Sequence, residues 1–188
     1  MSKKIMAEIS ARHTHVSREH LDILFGEGYE LTNKKDLSQP GQYACEEKVL
    51  VAGPKGETKM SILGPVRPAT QVEISLTDAR SLGIDAPVRE SGDIEATPGC
   101  KIVGPKGEVV IDKGVIVAKA HVHLTPEQAA GYGLSDKQLI SVRLCGKRNV
   151  TISDVVARVH PNFSAAMHID TDEANAAGIA GTVEGEII

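Results

Sequence analysis

The chain has 188 residues, a net charge of −4, 41% hydrophobic residues and only 3% aromatics. That length can bury a substantial core as one domain or two small ones, while the acidic balance and scarcity of stacking rings exclude a nucleic-acid-binding surface. The sequence has no apolar run of about 18 residues, the length a membrane span needs, and MSKKIMAEIS lacks the pattern of a signal peptide.

Short strands dominate the expected elements. KIMAEISARHTHV opens the chain as a strand region, and Ser17 is placed to cap a helix beginning REHLDIL. KVLVAG and TKMSIL follow as strands joined through GPKGE (53–57), and QVEIS runs into a short helix expected to begin at Thr77 and stop at Gly83. DIEAT, KIVG and EVVI come next, with TPG and a second GPKGE (104–108) as turns. Neither GPKGE opens a helix, so both are read as hairpin turns and not as phosphate cradles. GVIVAKAHVHL leads to Thr125–Pro126–Glu127, a cap, an N1 proline and an acid that together start a helix. QLISVRL, NVTI, VVARV and AMHID complete the strands, with CGK (145–147) as a turn, and a last helix starts at Asp170 or Thr171 and stops at Gly178. Many short strands with few short helices predict a mainly β fold of barrel-like domains capped by short α-helices. Cys45, Cys100 and Cys145 are odd in number and have no short metal spacing, as expected of reduced thiols used for packing.

One device occurs twice. ARHTHVS carries His13 and His15, and KAHVHLT carries His121 and His123. Residues i and i+2 of a strand share a face, so both imidazoles of a pair can converge on one ion. A second repeated element supplies the third position: VEISLTDARSLGI (72–84) aligns without a gap on MHIDTDEANAAGI (167–179), which sets Glu73 opposite His168. The offset between the two His pairs exceeds that between Glu73 and His168, so the internal duplication is imperfect. The chain therefore reads as two half-sites, His13/His15/Glu73 and His121/His123/His168. Three protein ligands leave positions open for water or substrate, as catalytic sites require. Imidazole and carboxylate suit zinc and other divalent first-row ions.

Arg67, between Val66 and Pro68, offers a planar guanidinium suited to phosphate oxygens. His20 is expected on a helix surface, and His160 is expected to serve a structural purpose.

ARHTHVS, GPVRPATQVEIS, AHVHLTPEQA and VHPNFSAAMHIDTDEANAAG, in that order and across nearly the whole chain, resemble the PduL-type phosphotransacylases, the phosphate propanoyltransferase family. The resemblance implies a phosphate acyltransferase that interconverts a short-chain acyl-CoA (propanoyl- or acetyl-CoA) plus phosphate with acyl phosphate plus CoA. It implies two adjacent small β-barrel domains with two Zn2+ ions at their junction. One zinc falls on His13, His15 and Glu73, the other on His121, His123 and His168, and phosphate on Arg67. CoA contacts fall on Ser10, Lys35, Leu63 and Asn175, while Ser61 stands where some members place a basic residue for CoA. The first barrel is expected over residues 11–118, with an excursion near 25–45. The second is expected over 119–188, joined by a strand from 1–10.

The ligand set suggests that one zinc serves the thioester and that the other, with Arg67, presents phosphate for direct attack without an acyl-enzyme. The rival is a dinuclear metal hydrolase using the same six ligands on water. A homodimer is expected, with no nucleic-acid or membrane partner. The short segment before His13 lacks the amphipathic extension of microcompartment-packed members, so a cytoplasmic enzyme of acetate or propanoate metabolism is expected.

Overall fold

The computed structural model describes residues 3–188; Met1 and Ser2, part of the expected strand 1–10, lie outside the described residues. In chain order the elements are β1 (Lys3–Ile9), β2 (His13–His15), α1 (Arg18–Phe25), β3 (Asn33–Asp36), β4 (Tyr43–Ala52), β5 (Glu57–Gly64), β6 (Gln71–Glu73), α2 (Leu76–Leu82) and β7 (Val88–Arg89). They continue with β8 (Cys100–Val103), β9 (Glu108–Ile111), β10 (Val115–Ala118), β11 (His121–Leu124), α3 (Pro126–Tyr132), β12 (Leu139–Cys145), β13 (Asn149–Val159), β14 (Ala166–Ile169), α4 (Thr171–Ala177) and β15 (Val183–Ile187). Among the described residues the fold is mainly β with four short helices, and none of these helices is long and apolar enough to cross a membrane.

Contacts divide the chain into two compact units. One takes the N-terminal segment to Ala11, Ser38–Pro40 and Lys119–Ile188. Its strands close a barrel in the order β1-β14-β11-β13-β12-β15. β1 is the closing stave, parallel to β14 on one side and antiparallel to β15 on the other. Ile5 and Ala7 of β1 point inward beside Val122, Leu124, Leu144 and Met167, as the period-2 pattern of a half-buried strand demands. Burying each such large side chain stabilises the fold by roughly 1.5–3 kcal/mol before entropy is counted.

The other unit, Arg12–Leu37 with Gly41–Ala118, is an open sheet in the order β7-β10-β6-β2-β5-β4-β8-β9, with β3 added on β4. This sheet stays open where the other closes. Its edge strand β7 has only two residues and follows Pro87, whose missing N–H limits pairing. Leu21, Leu24, Ile62, Val72, Leu82 and Ile102 fill its core. Each unit contains the same four-strand pattern. β2 runs parallel to β5 and antiparallel to β6, which is parallel to β10. β11 runs parallel to β13 and antiparallel to β14, which is parallel to β1.

Each strand that carries an expected ligand residue runs into a capped helix. Ser17, Ser75, Thr125 and Asp170 are the N-caps, and α2, α3 and α4 carry reciprocal capping boxes. Ser75, not Thr77, begins α2, because its hydroxyl accepts from Asp78 N while Asp78 answers Ser75 N. Both GPKGE segments are hairpin turns, between β4 and β5 and between β8 and β9. They also dock on helix ends: Lys55 N donates to Leu82 O at 2.9 Å and Lys106 N to Leu24 O at 3.0 Å. Arg148 N, in the turn between β12 and β13, does the same to Ala177 O at 3.1 Å. These bonds satisfy carbonyls that a helix C-terminus leaves without partners. Glycine is required for the approach, since a Cβ on Gly53 would stand 2.4 Å from Leu82 O and one on Gly104 2.4 Å from Leu24 O. Gly53→Ala is expected to lower unfolding stability by about 2 kcal/mol in a denaturant titration, because backbone on both sides must move.

Glu173 provides a pH-dependent contribution. Burial pushes its carboxyl up to about 7, with the Asp170 and Asp172 charges adding and the Asp170 N–H opposing. The folded state therefore keeps this proton when the unfolded chain, near its ordinary 4.5, has lost it. Stability is fully present below about 4.5 and declines until the pH passes about 7. Glu173→Gln mimics the protonated form. It is expected to leave the melting temperature unchanged at pH 4 and to add about 2 kcal/mol at pH 8, allowing for partial solvent screening.

Candidate metal centres

The six histidine and glutamate side chains form two tight clusters, His13/His15/Glu73 in the open-sheet unit and His121/His123/His168 in the barrel. In each, one ligand atom per residue lies within 4.8 Å of the others. The pairing register places the third residue directly opposite the first histidine, His13 facing Glu73 and His121 facing His168.

In the first cluster the Nε2 atoms of His13 and His15 are 3.2 Å apart. Glu73 Oε2 lies 3.5 Å from His13 Nε2, and Glu73 Oε1 lies 3.8 Å from His15 Nε2. Donors arranged tetrahedrally at zinc–nitrogen distances stand about 3.3–3.4 Å apart, so the cluster has the dimensions of a first-row metal site. His15 Nδ1–H donates to the Leu63 carbonyl at 3.1 Å, which leaves the Nε2 lone pair facing the cluster. Burial pushes His15 down to about 3, helped by the charges of His13 and Arg67, so the ring is neutral and ligand-competent at pH 7. Burial alone would raise the Glu73 carboxyl, but His13, His15 and the Ser91 hydroxyl more than offset it and hold Glu73 ionised.

In the barrel the three imidazole centroids are 4.8, 5.2 and 5.0 Å apart, a nearly equilateral array of rings set edge to face. His121 Nδ1–H donates to Lys119 O at 2.8 Å, again leaving Nε2 as the lone-pair nitrogen. His123 Nδ1 is buried with no hydrogen-bond partner among the described residues, an orphan that a bound cation or its water would relieve. Burial, then the charges of His121 and His168, push His123 down to about 2. His168 Nε2 lies 3.7 Å from Glu8 Oε2 and 3.4 Å from Ser38 Oγ. Three imidazoles held together in this way fit a divalent ion.

Arg67 belongs to the first cluster's surroundings. Its backbone N–H donates to Val16 O at 2.9 Å, and its Nη1 donates to Ser91 Oγ at 3.3 Å. Ser91 Oγ in turn donates to Glu73 Oε1 at 2.7 Å, joining the guanidinium to the carboxylate through one hydroxyl. Sequence reasoning missed Ser91 and Gln71, which also donates to Glu73 Oε1, at 2.6 Å. The Q-x-E spacing within β6 was the available signal for Gln71. His20 is not a plain surface residue, because its Nδ1 meets Thr70 Oγ1 at 2.7 Å and ties α1 to the segment after Arg67.

The four expected CoA contacts are divided between the units. Ser10, whose N donates to Ile169 O beside His168, and Asn175, exposed on α4, belong to the barrel unit. Leu63, whose carbonyl holds His15, and Lys35, exposed on β3, belong to the other. Cys45 and Cys100 are buried, and burial pushes their thiols up to about 11 and about 12, while Cys145 is exposed.

A family model for phosphate propanoyltransferase matches residues 6–180. A phosphate propanoyltransferase of Clostridioides difficile is 54% identical over 181 residues, spanning 95% of this chain and 87% of the relative. Proteins of the same name from Listeria monocytogenes and Thermotoga maritima are 50% and 54% identical, covering 98% and 92% of this chain and 87% and 83% of the relatives. The chain belongs to the phosphate propanoyltransferase family.

Proposed function

We propose that this protein converts a short-chain acyl-CoA, propanoyl- or acetyl-CoA, and phosphate into acyl phosphate and CoA, and the reverse. One divalent ion, zinc by preference, is held by His13, His15 and Glu73, and a second by His121, His123 and His168. The observation that carries this reading is the pair of three-donor clusters, one of them linked through Ser91 to Arg67. Metal in these sites supplies Lewis acidity towards a thioester oxygen or a departing thiolate sulfur. Arg67 binds and orients phosphate through its guanidinium fork. Phosphate is ionised near neutral pH and is itself the nucleophile: a phosphate oxygen bonds to the acyl carbon, the carbon–sulfur bond breaks, and CoA leaves as thiolate. Phosphate attack needs no cysteine as an acyl carrier, and burial keeps Cys45 and Cys100 protonated in any case. Ser10, Lys35, Leu63 and Asn175 are proposed to contact CoA, and the working form is proposed to be a cytoplasmic homodimer.

Initial rates with both substrates varied are expected to give intersecting lines, and acyl phosphate should form only when phosphate is present. Parallel lines, or acyl label recovered on a cysteine, would defeat the direct-attack proposal. Release of free acid without phosphate would favour a metal hydrolase.

A further inference from the structure

The two clusters match in strand pattern but not in what stands two residues before the third donor. In β14 that position, opposite His123, is Ala166; in β6, opposite His15, it is Gln71. Gln71 is buried and fully engaged. Its Nε2 donates to Glu73 Oε1 at 2.6 Å and to Ser91 Oγ at 3.0 Å, while its Oε1 accepts from Gly92 N at 2.8 Å. The Gly92 N–H fixes the amide orientation, since only oxygen can face it, so the NH2 group must face the carboxylate. Glu73 Oε1, 3.8 Å from His15 Nε2, thus accepts two hydrogen bonds, from Gln71 and from Ser91 at 2.7 Å, whereas Oε2, 3.5 Å from His13 Nε2, accepts neither of them.

We infer that Gln71 is a positioning residue that makes Glu73 a one-oxygen ligand, occupying Oε1 so that only Oε2 is offered to metal. This inference rests on the metal-site reading proposed above. A carboxylate, unlike an imidazole, has a second oxygen that can swing onto the ion and take a coordination position needed by substrate. A histidine at the third position needs no such restraint, and the barrel cluster has alanine there. Gln71 also pins Gly92 and, through Ser91, the guanidinium of Arg67, so the ligand oxygen and the phosphate-binding group are set by one side chain.

The test uses the full chain reconstituted with Co2+, whose visible absorption weakens as its coordination number rises. The barrel cluster has no carboxylate among its three donors and contributes equally in parent and variant, so the difference spectrum reports the Glu73 site. Gln71→Leu and Gln71→Glu are each expected to lose visible intensity and to bind one of two Co2+ equivalents roughly 10–100-fold more weakly in chelator competition. Thermal unfolding of the metal-free proteins shows whether either variant is folded, and the shape-conserving Gln71→Glu serves if Gln71→Leu is not. A spectrum identical to the parent's in a folded variant overturns the role given to Gln71 and leaves the metal sites standing. If the parent takes up no Co2+ that Glu73→Gln removes, the metal-site reading itself fails, and this inference with it.

Discussion

Glu73→Gln and His168→Ala are each expected to reduce bound metal from two equivalents per chain to one, and the double variant to none. Either change should lower kcat/KM for acyl-CoA about a thousand-fold, the several kcal/mol that a Lewis-acidic ion contributes to such a transition state. The argument is one of donor number. His13, His15 and Glu73 are all buried, as are His121 and His123, and either change cuts a three-donor cluster to two protein donors. The clusters draw on different strands, β2 with β6 and β11 with β14, so each single change takes a donor from one cluster only. Metal analysis of the purified variants checks the stoichiometry. Two equivalents retained in either single variant would mean that the cluster does not hold the ion.

Arg67→Ala is expected to raise the KM for phosphate about 30- to 100-fold, the 2–3 kcal/mol of a charge-assisted pair, while two metal equivalents remain bound. The backbone bond from Arg67 N to Val16 O survives the substitution, and Ser91 Oγ keeps its bond to Glu73, so the loop and the ligand should stay in place. Arg67→Lys should recover only part of the loss, because an ammonium is a point charge and cannot present the guanidinium's parallel donors. Steady-state kinetics with phosphate varied at saturating acyl-CoA make the measurement. A loss of zinc in Arg67→Ala would instead identify the arginine as a support of the metal cluster.

The mainly β fold was legible because its signals are local: alternation in strands, caps at Ser17, Thr125 and Asp170, stops at Gly83 and Gly178. The His-x-His pairs were legible for the same reason, since strand periodicity alone puts both rings on one face. Glu73 and His168 were visible only through the internal alignment, and the structure seats both opposite the first histidine of a pair. Gln71 carried a signal that went unread, the Q-x-E spacing that puts it on the same strand face as Glu73. Ser91 was not legible as a partner, because it reaches Glu73 across a loop and no periodicity connects a serine after β7 with a carboxylate in β6. The misplaced start of α2 has a smaller cause: Ser75 and Thr77 are both cap residues, and only the reciprocal Asp78 bond chooses between them. Barrel-like architecture was legible in the many short strands with few helices, but which of the two sheets closes was not, because closure depends on whether edge strands reach each other and not on any strand's own pattern.

The position of β1 has a consequence for synthesis. Lys3–Ile9 leaves the ribosome well before either neighbour that holds it, Ala166–Ile169 or Val183–Ile187. The open-sheet unit can assemble as soon as Ala118 has emerged, during translation, whereas the barrel must wait. Through that interval β1 is an amphipathic strand with both edges unsatisfied, the kind of segment that pairs with the wrong chain. Lys3 and Lys4 at the start of β1 carry charge that discourages such pairing until the barrel closes around the strand.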